Sequence, residues 1–205
     1  LFALPMLDGD SKIVIQPPFE SRPYVDMTIK ALETFGVLVE YEDEYTILIK
    51  GKQRYTAADT AVEGDWSGGA FLFALSMLHP EISISGYDKE SLQGDKICIE
   101  YFEKIKAGNP TLDISDCPDL GPILFAMAAY FSGATFTGTK RLKIKESDRA
   151  EAMRCELEKF GARVEIMEDS VTVKGGDLHE PVELLSGHGD HRIVMSLATL
   201  ASKLG

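Results

Sequence analysis

The feature that most constrains the fold is an apolar segment that recurs along the 205-residue chain. The heptapeptide at residues 1–7 returns 71 residues later, at 72–78, with six of its seven positions identical. Shorter related segments follow at 124–129 and 194–198. Such recurrence is typical of chains built from repeated supersecondary units. Because each segment is apolar on most faces, we expect four buried helices in equivalent places of the repeats.

A second recurring element is an amphipathic helix followed by two short β-rich runs. The helical patterns at about 22–35 and 148–160 each stop at a glycine, the residue favoured just after a helix end. The β-rich runs that follow them lie at 37–41, 45–50, 162–166 and 171–174. We also predict strands at 12–15 and 81–84, where polar and apolar residues alternate as in a sheet with one solvated face.

Together these patterns predict an α/β fold of repeated units, with buried helices inside and mixed sheets outside. A short polar run at residues 62–65 precedes one of the apolar helices and is the best candidate for a crossing between domains. The predicted domains are therefore residues 1–62 and residues 63–205.

Composition narrows the classes of partner. The formal net charge is −12 and the isoelectric point is about 4.8, so the field of the chain repels phosphodiesters and disfavours a nucleic-acid surface. The three cysteines are far apart and lack the spacing of a zinc site or a disulfide framework, which fits a reducing cytoplasm. No apolar run reaches the roughly 18 residues of a membrane span. Because the chain starts at Leu1, inside an apolar run, we expect it to be a piece of a longer protein.

One candidate site lies where a predicted strand at 134–139 leads into the helix at 148–160. Lys145 and Arg149 bracket Glu146 at the start of that helix, where free N–H groups and the helix dipole favour anions. Arginine offers a planar fork and lysine a compact charge, which suits a ligand with several anionic groups. The alternative is a capping box with exposed, solvated charges around it.

A second candidate site is the segment at 187–192, which leads into an apolar helix. Gly187 and Gly189 permit close backbone approach. Arg192 opposes the dipole at the first turn of that helix, so we expect it to have an anionic partner. The alternative is that Asp190 is only an N-cap and that His191 is structural.

Two further helix starts carry polar residues at the equivalent place, Asp119 in one and Ser21 with Tyr24 in the other. Asp119 has a simpler interpretation as a cap, and Tyr24 as a packing residue. Because the units repeat, we expect the four polar clusters to converge if the helix starts point toward one cleft.

The pentapeptide at 145–149, Lys-Glu-Ser-Asp-Arg, and the tripeptide at 190–192, Asp-His-Arg, resemble the two signature stretches of 5-enolpyruvylshikimate-3-phosphate synthases. Further landmarks of that family are matched in the same order at 21–24, 62–65, 93–95 and 118–119. The similarity covers essentially the whole chain.

The resemblance implies an enzyme of the shikimate pathway, which leads through chorismate to the aromatic amino acids. Such a transferase moves the enolpyruvyl group of phosphoenolpyruvate to the 5-hydroxyl of shikimate 3-phosphate and releases phosphate by addition and elimination. It implies no metal and no organic cofactor. It also implies small-molecule substrates only, with no nucleic acid or membrane as a partner, a cytoplasmic location and a monomer at full length.

Roles for particular residues follow from the same resemblance. Three residues would hold shikimate 3-phosphate, chiefly its phosphate: Ser21, Tyr24 and Lys145. Asp119 would bind the ring hydroxyls and act as base on the 5-hydroxyl, and Glu146 would exchange the proton at the phosphoenolpyruvate methylene. Three residues would bind phosphoenolpyruvate: Arg149, His191 and Arg192.

The family has two lobes of three repeats each, so residues 1–62 would be a remnant of the first lobe and residues 63–205 most of the second. Several basic residues of the family pattern have no counterpart here, about half of a full-length chain is missing, and Arg141 stands where some members carry asparagine. We therefore expect this chain alone to be inactive. The alternatives are a non-catalytic truncated fragment, the sister transferase that uses UDP-N-acetylglucosamine but lacks the Lys-Glu-Ser-Asp-Arg stretch, and an RNA 3′-phosphate cyclase, which the acidic balance disfavours.

Overall fold

A computed structural model describes residues 1–181 and 183–204. The chain forms two compact units. The first contains residues 1–63 together with residues 90–94, and the second contains residues 64–89 and the described residues from 95 onward.

The first unit is an antiparallel sheet with one helix. Its elements are β1 (Ser11–Val14), α1 (Arg22–Thr34), β2 (Val39–Asp43) and β3 (Thr46–Ile49), with the strand order β1-β3-β2. Ile47 in the central strand pairs with Ile13 on one side and Tyr41 on the other. The buried apolar residues of this unit are Leu32, Val37, Ile47 and Ile49.

The first of the four apolar segments was predicted as a helix, and that prediction is wrong. Only Leu4–Met6 forms a single 3₁₀ turn. The heptapeptide differs from its second copy at one position, where Pro5 replaces Ser76. Proline lacks the N–H donor and clashes with the preceding turn inside a helix, so the first copy cannot continue as the second does. The carbonyl of Pro5 instead accepts a hydrogen bond from the backbone N–H of Gln53 at 2.9 Å.

The second unit contains five helices among its described residues. They are α2 (Trp66–Leu78), α3 (Cys98–Ala107), α4 (Gly121–Tyr130), α5 (Arg149–Lys159) and α6 (His191–Leu204). The other three apolar segments therefore are helical, as predicted. In α4 every residue from Gly121 to Ala129 is buried, and this helix packs against α3, α5 and α6. The central helix is apolar all round because it has no face toward water.

A mixed sheet covers these helices. Its strands are β4 (Thr111–Asp113), β5 (Ala134–Thr137), β6 (Arg163–Ile166) and β7 (Ser170–Lys174), in the order β4-β5-β7-β6. The β4–β5 pair is parallel and the other two pairs are antiparallel. Buried and more exposed residues alternate along β5 and β7, as expected for a sheet with one face on the core. The predicted α/β fold, with buried helices and an outer mixed sheet, is confirmed.

The strand predicted at 81–84 does not form. Within the described part of the chain this stretch belongs to no sheet, and Ile82 donates its backbone N–H to the carbonyl of His79 at 2.9 Å. Alternating polarity is not sufficient for a strand, since the backbone groups also need a neighbouring strand to bond. None of the described helices is both long and apolar enough to cross a membrane.

Candidate active site

Three chain segments meet at one end of the second unit. Asp119 lies on the 3₁₀ turn Pro118–Leu120, directly before α4. Lys145 ends the 3₁₀ turn Lys140–Ile144, and Arg149 is the first residue of α5. Arg192 is the second residue of α6. Because α4, α5 and α6 pack against one another, their starts bring these side chains together.

Arg149 is the centre of this cluster. Its side chain is 1% exposed, and each of its three nitrogen atoms donates to a different carboxylate. Nε lies 2.8 Å from Oδ2 of Asp190, Nη1 lies 2.6 Å from Oδ1 of Asp119, and Nη2 lies 2.5 Å from Oε2 of Glu146. Burial disfavours the charged guanidinium, but the hydrogen bonds to Asp190 and Asp119 outweigh burial and raise the pKa of Arg149. A buried charge is tolerated only with such complete pairing.

Asp119 is held by three cations. Its Oδ1 accepts from Arg149 and lies 3.1 Å from Nζ of Lys145, and its Oδ2 lies 3.2 Å from Nη2 of Arg192. Burial raises the pKa of this carboxyl, but Arg192, Lys145 and Arg149 together outweigh burial and lower it below its ordinary value. The side chain does not cap the 3₁₀ turn on which it lies, so the simpler interpretation of Asp119 as a cap is not supported.

Asp190 has a larger part than the N-cap that sequence alone indicated. Its side chain is fully buried, and Oδ1 accepts the backbone N–H of Arg192 at 2.9 Å, as a cap does. The other oxygen, Oδ2, accepts from Nε of Arg149 and from the hydroxyl of Ser147 at 3.1 Å. These bonds outweigh burial and lower the pKa of Asp190. The signal available in the sequence was Arg149 itself, since an arginine at a buried helix start requires more than one carboxylate.

Arg192 has the anionic partner that its position predicts, namely Asp119. Its side chain is 13% exposed, and its Nη1 reaches the backbone carbonyl of Asp119 at a long 3.4 Å. Among the described residues no acceptor lies within hydrogen-bonding reach of the buried Nε of Arg192. Of the two arginines, Arg192 is the more exposed and the one whose Nε lacks an acceptor in the described part of the chain.

Three further residues are candidates for the site. His191 is exposed and is the first residue of α6. Ser21 and Tyr24 belong to the first unit, at the start of α1. Ser21 occupies the N-cap position in the left-handed region, with φ of 56°, and Tyr24 is 41% exposed.

The charges of the cluster balance, with three cations against three carboxylates. An anionic ligand must therefore displace a carboxylate from a cation, or meet the donors that remain. Exposure shows which groups can move: the side chains of Lys145 and Glu146 are 24% and 50% exposed, whereas those of Arg149 and Asp190 are closed off from solvent. Among the residues that the structure describes, no group of three or more His, Cys, Asp or Glu side chains is arranged to hold a metal ion.

The chain was compared with known proteins. The family model described as EPSP synthase (3-phosphoshikimate 1-carboxyvinyltransferase) matches residues 1–204. Among curated proteins, the 3-phosphoshikimate 1-carboxyvinyltransferase of Clostridium kluyveri is 42% identical over 99% of this chain and 51% of its own length. The protein of the same name from Clostridium novyi is 39% identical over 99% of this chain and 50% of its own length.

A solved structure of the EPSP synthase from Acinetobacter baumannii has the same fold, with a TM-score of 0.73 over 94% of this chain and 50% of that one, at 19% identity. The chain thus spans about half the length of the curated relatives it matches. The match to the family model runs through both units and through every residue of the cluster around Arg149. This chain belongs to the EPSP synthase family.

Proposed function

We propose that the protein to which this chain belongs transfers the enolpyruvyl group of phosphoenolpyruvate to the 5-hydroxyl of shikimate 3-phosphate and releases phosphate. The observation that carries the proposal is the cluster in which Arg149, Lys145 and Arg192 surround Asp119 beside Glu146. Two multiply charged substrates need several cations, and a reaction at a hydroxyl and at a methylene needs a base and an acid. The cluster contains both.

Anion binding would begin at the cations that solvent can reach. Lys145 would take the phosphate of shikimate 3-phosphate. Ser21 and Tyr24, which are in the first unit, stay predicted ligands of that substrate on the family resemblance alone. Arg192 would take phosphoenolpyruvate through the guanidinium N–H groups that it frees when it turns away from Asp119, with His191 beside it. Arg149 would join when Glu146, whose side chain is half exposed, swings off its Nη2. The buried bond from Nε of Arg149 to Asp190 would persist and keep the guanidinium of Arg149 in place.

Ligand binding would also change the acidity of Asp119. Its pKa is lowered in the described arrangement because three cations oppose the effect of burial. When Lys145 and Arg192 turn toward substrate phosphates and carboxylates, that stabilisation weakens and the pKa of Asp119 rises. A carboxylate made more basic by the arrival of its substrates is suited to accept the proton of the 5-hydroxyl.

The proposed reaction has two steps, an addition and an elimination, with two proton transfers in each. In the addition, the 5-oxygen bonds to C2 of phosphoenolpyruvate as Asp119 takes the hydroxyl proton and Glu146 supplies a proton to the methylene carbon. In the elimination, Glu146 takes a proton back from that carbon, the double bond re-forms, the C2–O bond to phosphate breaks, and Asp119 returns its proton to the departing phosphate. We propose that these steps need neither a metal nor an organic cofactor.

The remaining features of the proposal concern the whole protein. Residues 1–62 would be a remnant of the first lobe and residues 63–205 most of the second, acting in aromatic amino acid biosynthesis in the cytoplasm as a monomer. We propose no nucleic-acid or membrane partner.

The test combines this chain with the half of a curated relative that it does not match. A chimera in which this chain replaces the matching half of the Clostridium kluyveri protein should release phosphate only when both substrates are present. Glu146→Gln in the chimera should lower the turnover by about 10²-fold or more, which is typical of losing a general acid–base group. Glu158→Gln is the matched control, because Glu158 has a similar exposure, 44%, and lies on the far side of α5 in a pair with Arg154.

A folded chimera that releases no phosphate, or whose turnover Glu146→Gln leaves unchanged, would overturn the proposal. If the chimera does not fold, the proposal is tested instead by calorimetric titration of the 205-residue chain with shikimate 3-phosphate. Binding that Lys145→Ala weakens and Glu158→Gln does not would support the proposal. Binding insensitive to Lys145→Ala, or no binding at all, would contradict it.

A further inference from the structure

Residues 184–190, here called the laced segment, run beside α5 and bond to it at every second residue. The four contacting residues are Leu184, Ser186, His188 and Asp190. Their partners occur in reverse order along α5, from Lys159 near its end, through Glu156, to Arg149 at its start. The laced segment is therefore antiparallel to the helix, and α6 begins at the next residue, His191.

Glu156 forms the middle of this lacing. Its side chain is 2% exposed, and both of its carboxylate oxygens are occupied. Oε2 accepts the backbone N–H of Ser186 at 2.9 Å, and Oε1 lies 2.9 Å from Nε2 of His188. Nζ of Lys159 bonds to both oxygens, at 3.0 and 2.9 Å. Burial opposes ionisation, but these partners outweigh it and lower the pKa of Glu156, so the group is a buried carboxylate with complete pairing.

Glu156 and Arg149 lie on the same side of α5. They are seven residues apart, which places them on one face and about 10 Å apart along the axis of a helix. One is a buried anion and the other a buried cation, and each contacts the laced segment. The segment is thus held near its start through Ser186 and at its end through Asp190.

The backbone between these two contacts is in the left-handed region at two consecutive residues. His188 has φ of 48° and Gly189 has φ of 70°. A residue with a side chain rarely adopts the left-handed region, so His188 stays there only when the surroundings hold it. Three bonds hold the bend. Oγ of Ser186 accepts the backbone N–H of His188 at 3.2 Å, and the carbonyl of Gly187 accepts that of Asp190 at 2.8 Å. Nε2 of His188 lies 2.9 Å from Oε1 of Glu156.

We propose that Glu156 is a positioning residue for the active-site cluster. It holds the bend at His188, and the bend aims Asp190 at Nε of Arg149 and places Arg192 next to Asp119. Glu156 itself touches none of the cluster residues; it acts through the laced segment. A purely structural role, in which Glu156 only stabilises α5, would leave the Asp190–Arg149 bond intact in any variant that folds.

The test uses the 205-residue chain in isotope-labelled form and reads the two ends of the lacing separately. The first readout is the hydrogen-exchange rate of the Ser186 amide. The second is the NMR signal of the Arg149 Nε–H, seven residues from the substitution. In Glu156→Ala we expect Ser186 exchange to rise about tenfold or more, because a hydrogen bond to a charged group is lost. The Arg149 Nε–H signal should shift or broaden as Asp190 withdraws.

Two further variants calibrate these results. Glu156→Gln keeps an oxygen for the Ser186 amide but loses the charge, so it should fall between the wild type and Glu156→Ala. Glu158→Gln, two residues along the same helix and paired with Arg154, should change neither signal. If Glu156→Ala fails to fold, Glu156→Gln decides the question on the same two signals. An unchanged Arg149 signal in a folded Glu156 variant would overturn the proposal.

A third readout rests on the proposed function. The affinity of the chain for phosphoenolpyruvate should fall about tenfold in Glu156→Ala if Arg192 is displaced. Failure of the wild-type chain to bind phosphoenolpyruvate would count against the proposed function only. The exchange and Arg149 readouts need no ligand, and they decide the role of Glu156 by themselves.

Discussion

Replacing Asp190 with alanine is the most informative perturbation of the second unit. The side chain of Asp190 is fully buried and that of its partner Arg149 is 1% exposed, so no solvent reaches the bond between them. Alanine at this position would remove the acceptor of three donors at once, namely Nε of Arg149, the hydroxyl of Ser147 and the backbone N–H of Arg192. Arg149 would keep Asp119 and Glu146, but one of its N–H groups would be buried without an acceptor.

The expected loss of stability follows from these bonds. A hydrogen bond between charged groups is worth about 1.5–3 kcal/mol, and loss of an N-cap side chain costs about 1 kcal/mol. The sum, about 2.5–4 kcal/mol, overlaps the cost of about 3–5 kcal/mol for breaking one side of a buried ion pair. Asp190→Asn keeps the size and one acceptor oxygen, so its cost should be lower, about 1.5–3 kcal/mol.

Urea unfolding followed by tryptophan fluorescence is a suitable assay. Trp66 is the only tryptophan and lies in the same unit as Asp190. With a typical urea m-value of about 2 kcal/mol/M, Asp190→Ala should lower the midpoint by about 1.2–2 M without changing the m-value. Asp148→Ala is the matched control, since Asp148 caps the neighbouring helix α5 from an exposed position and accepts one backbone N–H at 3.2 Å.

The control should cost about 1 kcal/mol or less. If Asp190→Ala lowers the midpoint no more than Asp148→Ala does, the reasoning is refuted. That result would mean that Asp119 and Glu146 satisfy Arg149 by themselves and that Asp190 is only a cap.

Two further predictions concern the stability of the second unit at low pH and the close packing at Gly69. Asp119, Glu156 and Asp190 are among the carboxyl groups of the second unit whose pKa folding lowers. The ionised groups stabilise the fold fully above their ordinary pKa values, 3.8 for aspartate and 4.5 for glutamate, and this stabilisation is lost as the pH falls through the lower folded-state values. The urea midpoint should therefore decrease once the pH is lowered below about 4.5. A midpoint that does not change with pH down to about 2 would contradict this prediction. Gly69→Ala should destabilise the unit by about 1–3 kcal/mol and change the fluorescence of Trp66, because a Cβ on Gly69 would lie 2.5 Å from the ring of Tyr87, which packs on Trp66. Gly176→Ala, where a Cβ meets nothing within 4 Å, is the control, and equal effects of the two changes would reject the argument.

Local patterns predicted most of the helices because the required information is local. The apolar character of α4 indicates burial on every face, and a capping aspartate at 148 indicates the start of α5, where its side chain accepts the backbone N–H of Glu151. The same local information explains the failure at the first apolar segment. A single proline, Pro5, outweighs six identical neighbours, because one missing donor and one steric clash are enough to stop a helix.

The strand predicted at 81–84 failed for a different reason. Alternation in the sequence reports only that one face of an extended segment prefers an apolar surface. A strand also needs a partner for its backbone groups, and the pairing of distant segments does not appear in the pattern of either one.

In the candidate site, too, some features follow from local sequence and others only from tertiary contacts. Five residues of the cluster were candidates from the sequence because they stand at predicted helix starts and in stretches that resemble the family pattern, namely Asp119, Lys145, Glu146, Arg149 and Arg192. Their roles in binding and catalysis stay predictions. Only the tertiary structure decided that Arg149 is buried among three carboxylates, that Asp190 is one of them, and that Glu156 holds the segment leading to α6. The physical reason is that burial and ion pairing depend on which segments meet across the packed helices. That meeting is a property of the folded core and of no single stretch of sequence.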